Sequence, residues 1–341
     1  MASSNSSRLS RSETAGPARL NLQSFELART DWSDQTSTSL IEFLQQLING
    51  LALGSIYALI ALGYTMVYGV LRFINFAHGD VFMVGAFCGF YLAPQANRIL
   101  PPHSVPAAAA VLLASMVVCA ALGIIIEKLA YRPLRSRPKL TVLITAIGVS
   151  LFLEYVGQHP KVFGPSPQTF PDLIQSRNIQ LGGVVVSNIE VIVLALTLVL
   201  LIALRFIVLK TKIGTAMRAV SFNAPAAALM GINLDRVISF TFGLGSALAA
   251  AAGVLYAMKY PSIEPLMGIM PGLKAFTAAV LGGIGNIPGA ALGGLIIGVA
   301  ETFVGGSAWS NYRDAIAFAL LIFILLFKPS GLLGRVEVEK V

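Results

Sequence analysis

The feature that most restricts this chain is a recurrence of long apolar stretches. They run Leu44–Val70, Val81–Leu92, Ala107–Ile126, Leu140–Val156, Glu190–Leu209, Val237–Met258 and Tyr312–Phe327. A helix crosses the hydrocarbon core of a bilayer with about 20 apolar residues, and most of these stretches reach or approach that length. No water reaches the backbone in lipid, so each segment must satisfy its own N–H and C=O groups, which a helix does. A further stretch, Lys274–Phe303, is too long for one span and is broken by Gly282, Gly283, Gly285, Asn286, Pro288 and Gly289. Glycine and proline there predict two half-helices joined by a buried turn. The expected fold is all-α and polytopic, with about eight spans plus a broken, re-entrant helix hairpin. Only 12% of the residues are charged and 56% are apolar, where a soluble domain has roughly 25% charged.

Charge sets the orientation. The net charge of +8 would suit a nucleic-acid partner, but the basic residues cluster at span ends, where membrane topology places them. The densest cluster is Lys128, Arg132, Arg135, Arg137 and Lys139; a second is Arg205, Lys210, Lys212 and Arg218. Both predict cytoplasmic segments, and Lys328, Arg335 and Lys340 predict a cytoplasmic C-terminus. Counting spans outward then puts the N-terminus outside. Residues 1–38 are polar and Ser-rich, with Arg8, Arg11, Arg19 and Arg29 set against Glu13, Glu26, Asp31 and Asp34. They have little to bury and are expected as a mobile extension, without the apolar core of a secretory signal. Residues 39–341 are expected as a single transmembrane domain.

Three polar segments hold the functional candidates. Lys210–Asp235 lies between two spans yet is rich in Ala, Met and Leu, good helix formers. Pro225 splits it into two pieces, Asn223 suits the N-cap of the second, and Gly231 suits its C-cap. A helix pair at this place is a docking surface for a soluble partner; an ordinary ordered loop is the other reading. The insert Arg72–Asp80 puts Asn75, His78 and Asp80 between two spans. These residues either line a path or brace a broken helix, the brace being favoured over substrate contact; a tight cytoplasmic turn, with Gly79 supplying its backbone freedom, is the other reading. The turn at Gly283, Gly285 and Asn286 is the third segment. Glu154 is an acid within a span, near its outer end. Gly157–Asn188, with four prolines, is the longest external loop and a candidate platform for an external partner. Cys88 and Cys119 both lie in apolar spans and are read as packing residues; the three histidines are scattered, so no metal site is expected. Leu53-Gly54-Ser55 in the first span and Leu244-Gly245-Ser246 in the sixth hint at an inverted repeat, a mark of transporters.

Longer blocks carry a resemblance. INGLALGSIYALIALGYTMVYG, INFAHGD, EKLAYRPLR, MGIN-x-DRVI, LKAFTAAVLGGIGNIPGA and PSGLLGR occur in order from about Leu47 to the C-terminus. Together they resemble the LivH-type permease of branched-chain amino-acid ABC importers. The resemblance implies a bacterial plasma (inner) membrane location and a second, related permease subunit. It also implies two cytoplasmic ATPase subunits and an external amino-acid-binding protein. Gly214, Arg218, Asn223, Ala227, Gly231 and Ile232 would belong to the ATPase-coupling motif; Asn75, His78, Asp80, Gly283, Gly285 and Asn286, from the polar insert and the Gly-Pro turn themselves, are the candidates for the translocation path. The chain has no G-x-x-x-x-G-K-[ST] phosphate loop, so ATP and Mg²⁺ are expected on the partner ATPases, with no cofactor and no catalytic residue here. Within the same family, urea, short amides or another small neutral solute are alternative substrates. An ion-coupled secondary transporter is a different class and would need a charge deep in a broken helix. An intramembrane enzyme using His78 and Asp80 would need a nucleophile, and the sequence places none.

Overall fold

The structure is a computed structural model that describes residues 22–334, with side chains from Leu40 onward. The extension expected over 1–38 lies outside the described residues as far as residue 21. Met1–Phe43 and Leu44–Val341 are separate compact units, and in the first the described backbone is helical from Leu22. The helices are α1 (Leu22–Leu71), α2 (His78–Ile99), α3 (Val105–Ile126), α4 (Lys139–Gln158), α5 (Asn188–Lys210), α6 (Lys212–Phe222), α7 (Ala224–Leu229), α8 (Leu234–Lys259), α9 (Ile269–Gly282), α10 (Ile287–Gly305) and α11 (Arg313–Phe327). Seven helices among the described residues are long and apolar enough to cross a membrane, and α9 is a shorter apolar helix. The protein is therefore an all-α, multi-pass membrane protein.

In lipid the hydrophobic effect does not pull helices together, so small residues decide which helices reach the interior. In the spans of α1 and α8, 94% and 78% of the most apolar residues are buried; for α4 and α11 the shares are 17% and 11%. Ala249–Ala252 of α8 are fully buried. α1 and α8 form the centre, and α4, α5 and α11 present apolar faces outward.

The order of packing repeats in reverse. α1 packs antiparallel on α10: a Cβ at Gly54 would lie 2.7 Å from Leu295 Cα, and one at Gly50 2.7 Å from Val299 Cα. α8 packs antiparallel on α3 in the same manner, through Gly123 against Ser246 and Gly243 against Ile124. α2 packs on α3 as α9 packs on α10. The sets α1–α2–α3 and α8–α9–α10 thus run in opposite directions about a shared centre, where Gly63 of α1 meets Gly245 of α8. The two Leu-Gly-Ser tripeptides lie in α1 and α8, the two helices that meet at this centre.

Three expectations about elements change. α2 begins at His78, not Val81, so His78 and Asp80 lie inside the helix, and both are buried. The basic cluster after α3 is not a loop: a π-helical turn, Glu127–Tyr131, and a 3₁₀ turn, Arg132–Leu134, carry it. The Gly-Pro turn after α9 is not buried, since Gly285 is exposed. It sits at the basic end, where the terminal PSGLLG segment closes on it through Leu332 N–H to Leu281 O (2.8 Å) and Leu333 N–H to Gly282 O (3.0 Å).

The long loop between α4 and α5 is ordered. β2 (Asn178–Leu181) and β3 (Val184–Ser187) form a hairpin closed by Gly182 and Gly183, both at positive φ, as a two-residue hairpin turn requires. β1 (Gln168–Thr169) pairs with β4 (Ser262–Ile263) after α8. Gln45 exchanges two 2.8 Å hydrogen bonds with the Val185 backbone, which ties the hairpin to α1.

Candidate coupling surface and translocation elements

The stretch after α5 folds into two short helices. Thr211 caps α6 by accepting from Gly214 N–H at 3.1 Å. Asn223 ends α6 and caps α7, its Oδ1 accepting from Ala226 N–H at 3.0 Å. Pro225 occupies the first turn of α7, where its missing N–H has no role to fill. Gly231 follows at φ +84°, and Ile232 N–H closes the turn on Ala227 O at 3.1 Å. Ala227 is buried. Gly214 lies so close to the last turn of α5 that a Cβ would run into the Ile207 and Val208 carbonyls. Arg218 donates to the Val208 carbonyl and to Thr215 Oγ1. Its first task is therefore internal: it satisfies an orphan carbonyl at the α5 terminus and ties α6 to that span.

The outer face of this pair carries residues that the sequence reading did not single out. Phe222, Leu229 and Met230 are 90%, 89% and 83% exposed. They sit at the ends of α6 and α7, beside the basic span ends. Three large apolar groups left uncovered on short helices between spans are candidates for an interaction surface. Their signal in the sequence was weak, because apolar residues are common everywhere in this chain.

Behind the pair lies a charge network. Glu127, fully buried in the π-helical turn, accepts from Ser239 Oγ at 2.5 Å and pairs with Arg132 (3.3 Å) and Arg135. Arg135 also pairs with Asp235 at 2.6 Å, in the first turn of α8. The same turn aims Tyr131 at Asn75, whose Oδ1 accepts the phenol at 2.6 Å. Asp235 follows α7 by only a few residues, and the Arg135–Asp235 and Tyr131–Asn75 bonds connect the start of α8, the end of α3 and the α1–α2 connection.

The candidates of the Asn75–Asp80 insert divide. Asn75 is held by Tyr131. His78 stacks edge-on against Tyr64 (4.7 Å) and covers Gly63, and its Nε2 has no hydrogen-bond partner among the described residues. Asp80 accepts from Ser150 Oγ at 2.5 Å and lies beside Glu154, so it joins α2 to α4. Gly79 packs on Gly268 at the start of α9, so the first turns of α2 and α9 meet inside the protein. The Gly283–Asn286 turn lies apart from these residues. Gly283 (φ +103°) and Gly285 (φ +91°) are left-handed. Asn286 caps α10 through Gly289 N–H (3.2 Å) and donates to Leu333 O (2.7 Å).

A second buried charge cluster was not foreseen. Lys274 of α9 and Glu301 of α10 are 3% and 2% exposed and pair at 2.7 Å. Lys274 also reaches Asp314 (2.6 Å), Arg313 reaches Glu301 (3.2 Å), and Tyr57 of α1 donates to Glu301 (2.9 Å). Two cations and two acids thus balance where α1, α9, α10 and α11 meet. Among the described residues no group of three or more His, Cys, Asp or Glu could hold a metal ion.

Comparison with known proteins agrees with this architecture. The family of branched-chain amino acid transport system permease components matches residues 46–325. The chain is 46% identical to the high-affinity branched-chain amino acid transport system permease protein BraD of Pseudomonas aeruginosa, over 88% of this chain and 98% of that one. It is 43% identical to the LivH permease protein of Escherichia coli (strain K12), over 89% and 100%. It is 28% identical to a probable LivH of Methanocaldococcus jannaschii, over 82% and 89%. The chain belongs to this family of permeases.

Proposed function

We propose that this chain is a membrane-spanning subunit of an ATP-driven importer that carries branched-chain amino acids inward across the bacterial plasma membrane. A second, related permease subunit completes the pore. Two cytoplasmic ATPase subunits hold ATP and Mg²⁺, and a soluble binding protein delivers the substrate from outside. The observation that carries the reading is the α6–α7 pair, capped at Asn223 and Gly231, with Phe222, Leu229 and Met230 uncovered at the basic end. A short, rigid helix pair with apolar anchors fits a groove in a soluble subunit, as interface hot spots do. Closure of that subunit on ATP moves α6 and α7. The Asp235–Arg135–Glu127 network then passes the movement to α3 and, through Tyr131, to Asn75. Branched-chain substrates follow from the names of the relatives at 43–46% identity.

The ion-coupled alternative draws on Lys274, a cation inside the shorter helix of the broken hairpin. That charge is matched by Glu301 and Asp314, as expected of a brace between helices. The test is co-purification of the chain with ATPase subunits, followed by ATP hydrolysis with and without substrate-loaded binding protein. Stimulated hydrolysis supports the reading. A chain that transports alone, driven by an ion gradient, refutes it.

A further inference from the structure

The outward-facing spans differ in how apolar they are. The most apolar stretches of the α3 and α5 spans have mean hydropathy 2.8 and 3.0, with 33% and 22% of their residues buried. Those of α4 and α11 are still less buried, 17% and 11%, yet their mean hydropathy is only 1.9 and 1.6. A face turned to lipid tails gains from being apolar, so the least apolar of these spans should not be the ones most open to lipid. The two lie on one continuous face. α9 packs against α11 and against α2, and Asp80 of α2 is bonded to Ser150 of α4. Pro265, just before α9, lies 3.4 Å from the place of a Cβ at Gly157 of α4.

Between α4 and α11 the start of α9 is open: Leu266, Ile269 and Met270 are 43%, 37% and 38% exposed. This break in the helices lies at membrane depth. Gly268 packs on Gly79, next to Asp80, and Asp80 meets Ser150, which is about two turns, or about 12 Å, from the Gln158 end of α4. α4 itself has 20 residues, enough to cross the hydrocarbon core. Irregular backbone at such depth does not face lipid; it lies against protein or beside a water-filled path.

We infer that the face made by α4, the start of α9 and α11 is the one that the second permease subunit covers. The inference rests on the reading above that such a subunit exists, and adds where it sits. A soluble partner does not reach this depth, and lipid does not suit the broken backbone. The face also admits another helix. A groove of about 430 Å³ runs over Gly148, Phe152, Tyr155 and His159, and among the described residues nothing lies within 4 Å of the place of a Cβ at Gly148. On α11, Ala315, Ala319 and Ile322 are exposed along one stripe. Small residues on a span let a second helix come close.

The experiment uses the full chain, affinity-tagged, in membranes of cells that also express the second permease, the ATPases and the binding protein. The photoreactive residue p-benzoylphenylalanine is placed at Leu151, Ile269 or Ile322 on the face, and at Val117 of α3 or Ile202 of α5 as controls; all five are exposed. Products of irradiation are identified by mass. The face positions should join the second permease, and the controls lipid alone. Gly148→Trp adds bulk where its own chain leaves room, and should cut the second permease retained on the tag about tenfold, the effect of overpacking a tight contact. Ala203→Trp, at an exposed site on α5, should leave retention unchanged. Lipid adducts alone at the face positions, with the second permease still retained, overturn the inference and leave the importer reading intact. Crosslinks to a second copy of this chain, or to its own residues 1–38, also overturn it, as does an equal loss of retention in both Trp variants. Absence of any second permease on the tag overturns the importer reading, and the inference with it.

Discussion

Replacing Phe222, Leu229 and Met230 together with serine tests the docking surface where its energy should concentrate. The three side chains are 90%, 89% and 83% exposed. They contribute little to the isolated chain, and surface changes of this kind stay within about 0.5 kcal/mol each. Full burial of a Phe, Leu or Met side chain is worth about 1.5–3 kcal/mol. A partner that covers half of each gains about 1 kcal/mol per residue, or about 3 kcal/mol in all. That corresponds to about a 150-fold loss of affinity. The assay is titration of purified ATPase onto the permease in nanodiscs, with thermal unfolding of the permease measured in parallel. The expected result is unchanged unfolding and an affinity lower by about two orders of magnitude. Unchanged affinity would mean that the partner grips another surface, and the reasoning from exposure would be wrong.

Gly231→Val forces a β-branched residue to φ +84°, at a strain of about 1–2 kcal/mol, and should abolish binding-protein-stimulated ATP hydrolysis while insertion into the membrane is normal. Arg218→Glu removes the bond to the Val208 carbonyl and puts an acid at a helix C-terminus, so it should act in the same direction. Lys274→Met strips Glu301 of its nearest cation and should destabilise the chain by about 3–5 kcal/mol, seen as a lower unfolding midpoint in detergent. Gly285→Leu has room for its side chain but not the favoured backbone, and it points bulk at the basic end of the hairpin; uptake should fall while assembly on a sizing column persists.

Much of the fold is legible because lipid makes span length and backbone satisfaction strict. The Asn223 and Gly231 caps are legible too, because capping is local chemistry written within a few residues. The start of α2 is not, since His78 and Asp80 read as a polar break until Tyr64 and Ser150 are seen to receive them. Lys274, Glu301 and Asp314 are separated by 27 and 40 positions, so no spacing rule joins them. The Gly-Pro turn reads as buried from its composition, but its carbonyls find partners in the terminal Leu332–Leu333 segment and it rests at the basic end. Exposure of Phe222, Leu229 and Met230 leaves no trace in a chain that is 56% apolar. Only the packing of α6 and α7 against the spans shows which side faces outward.

The most direct test of coupled import is uptake of radiolabelled leucine into proteoliposomes that hold this chain, its partner permease and the two ATPase subunits, with the binding protein outside and ATP enclosed. Uptake should require enclosed ATP and the binding protein together, and should be indifferent to ionophores that collapse proton and sodium gradients. Leucine uptake that continues without ATP and stops with the ionophores would contradict it.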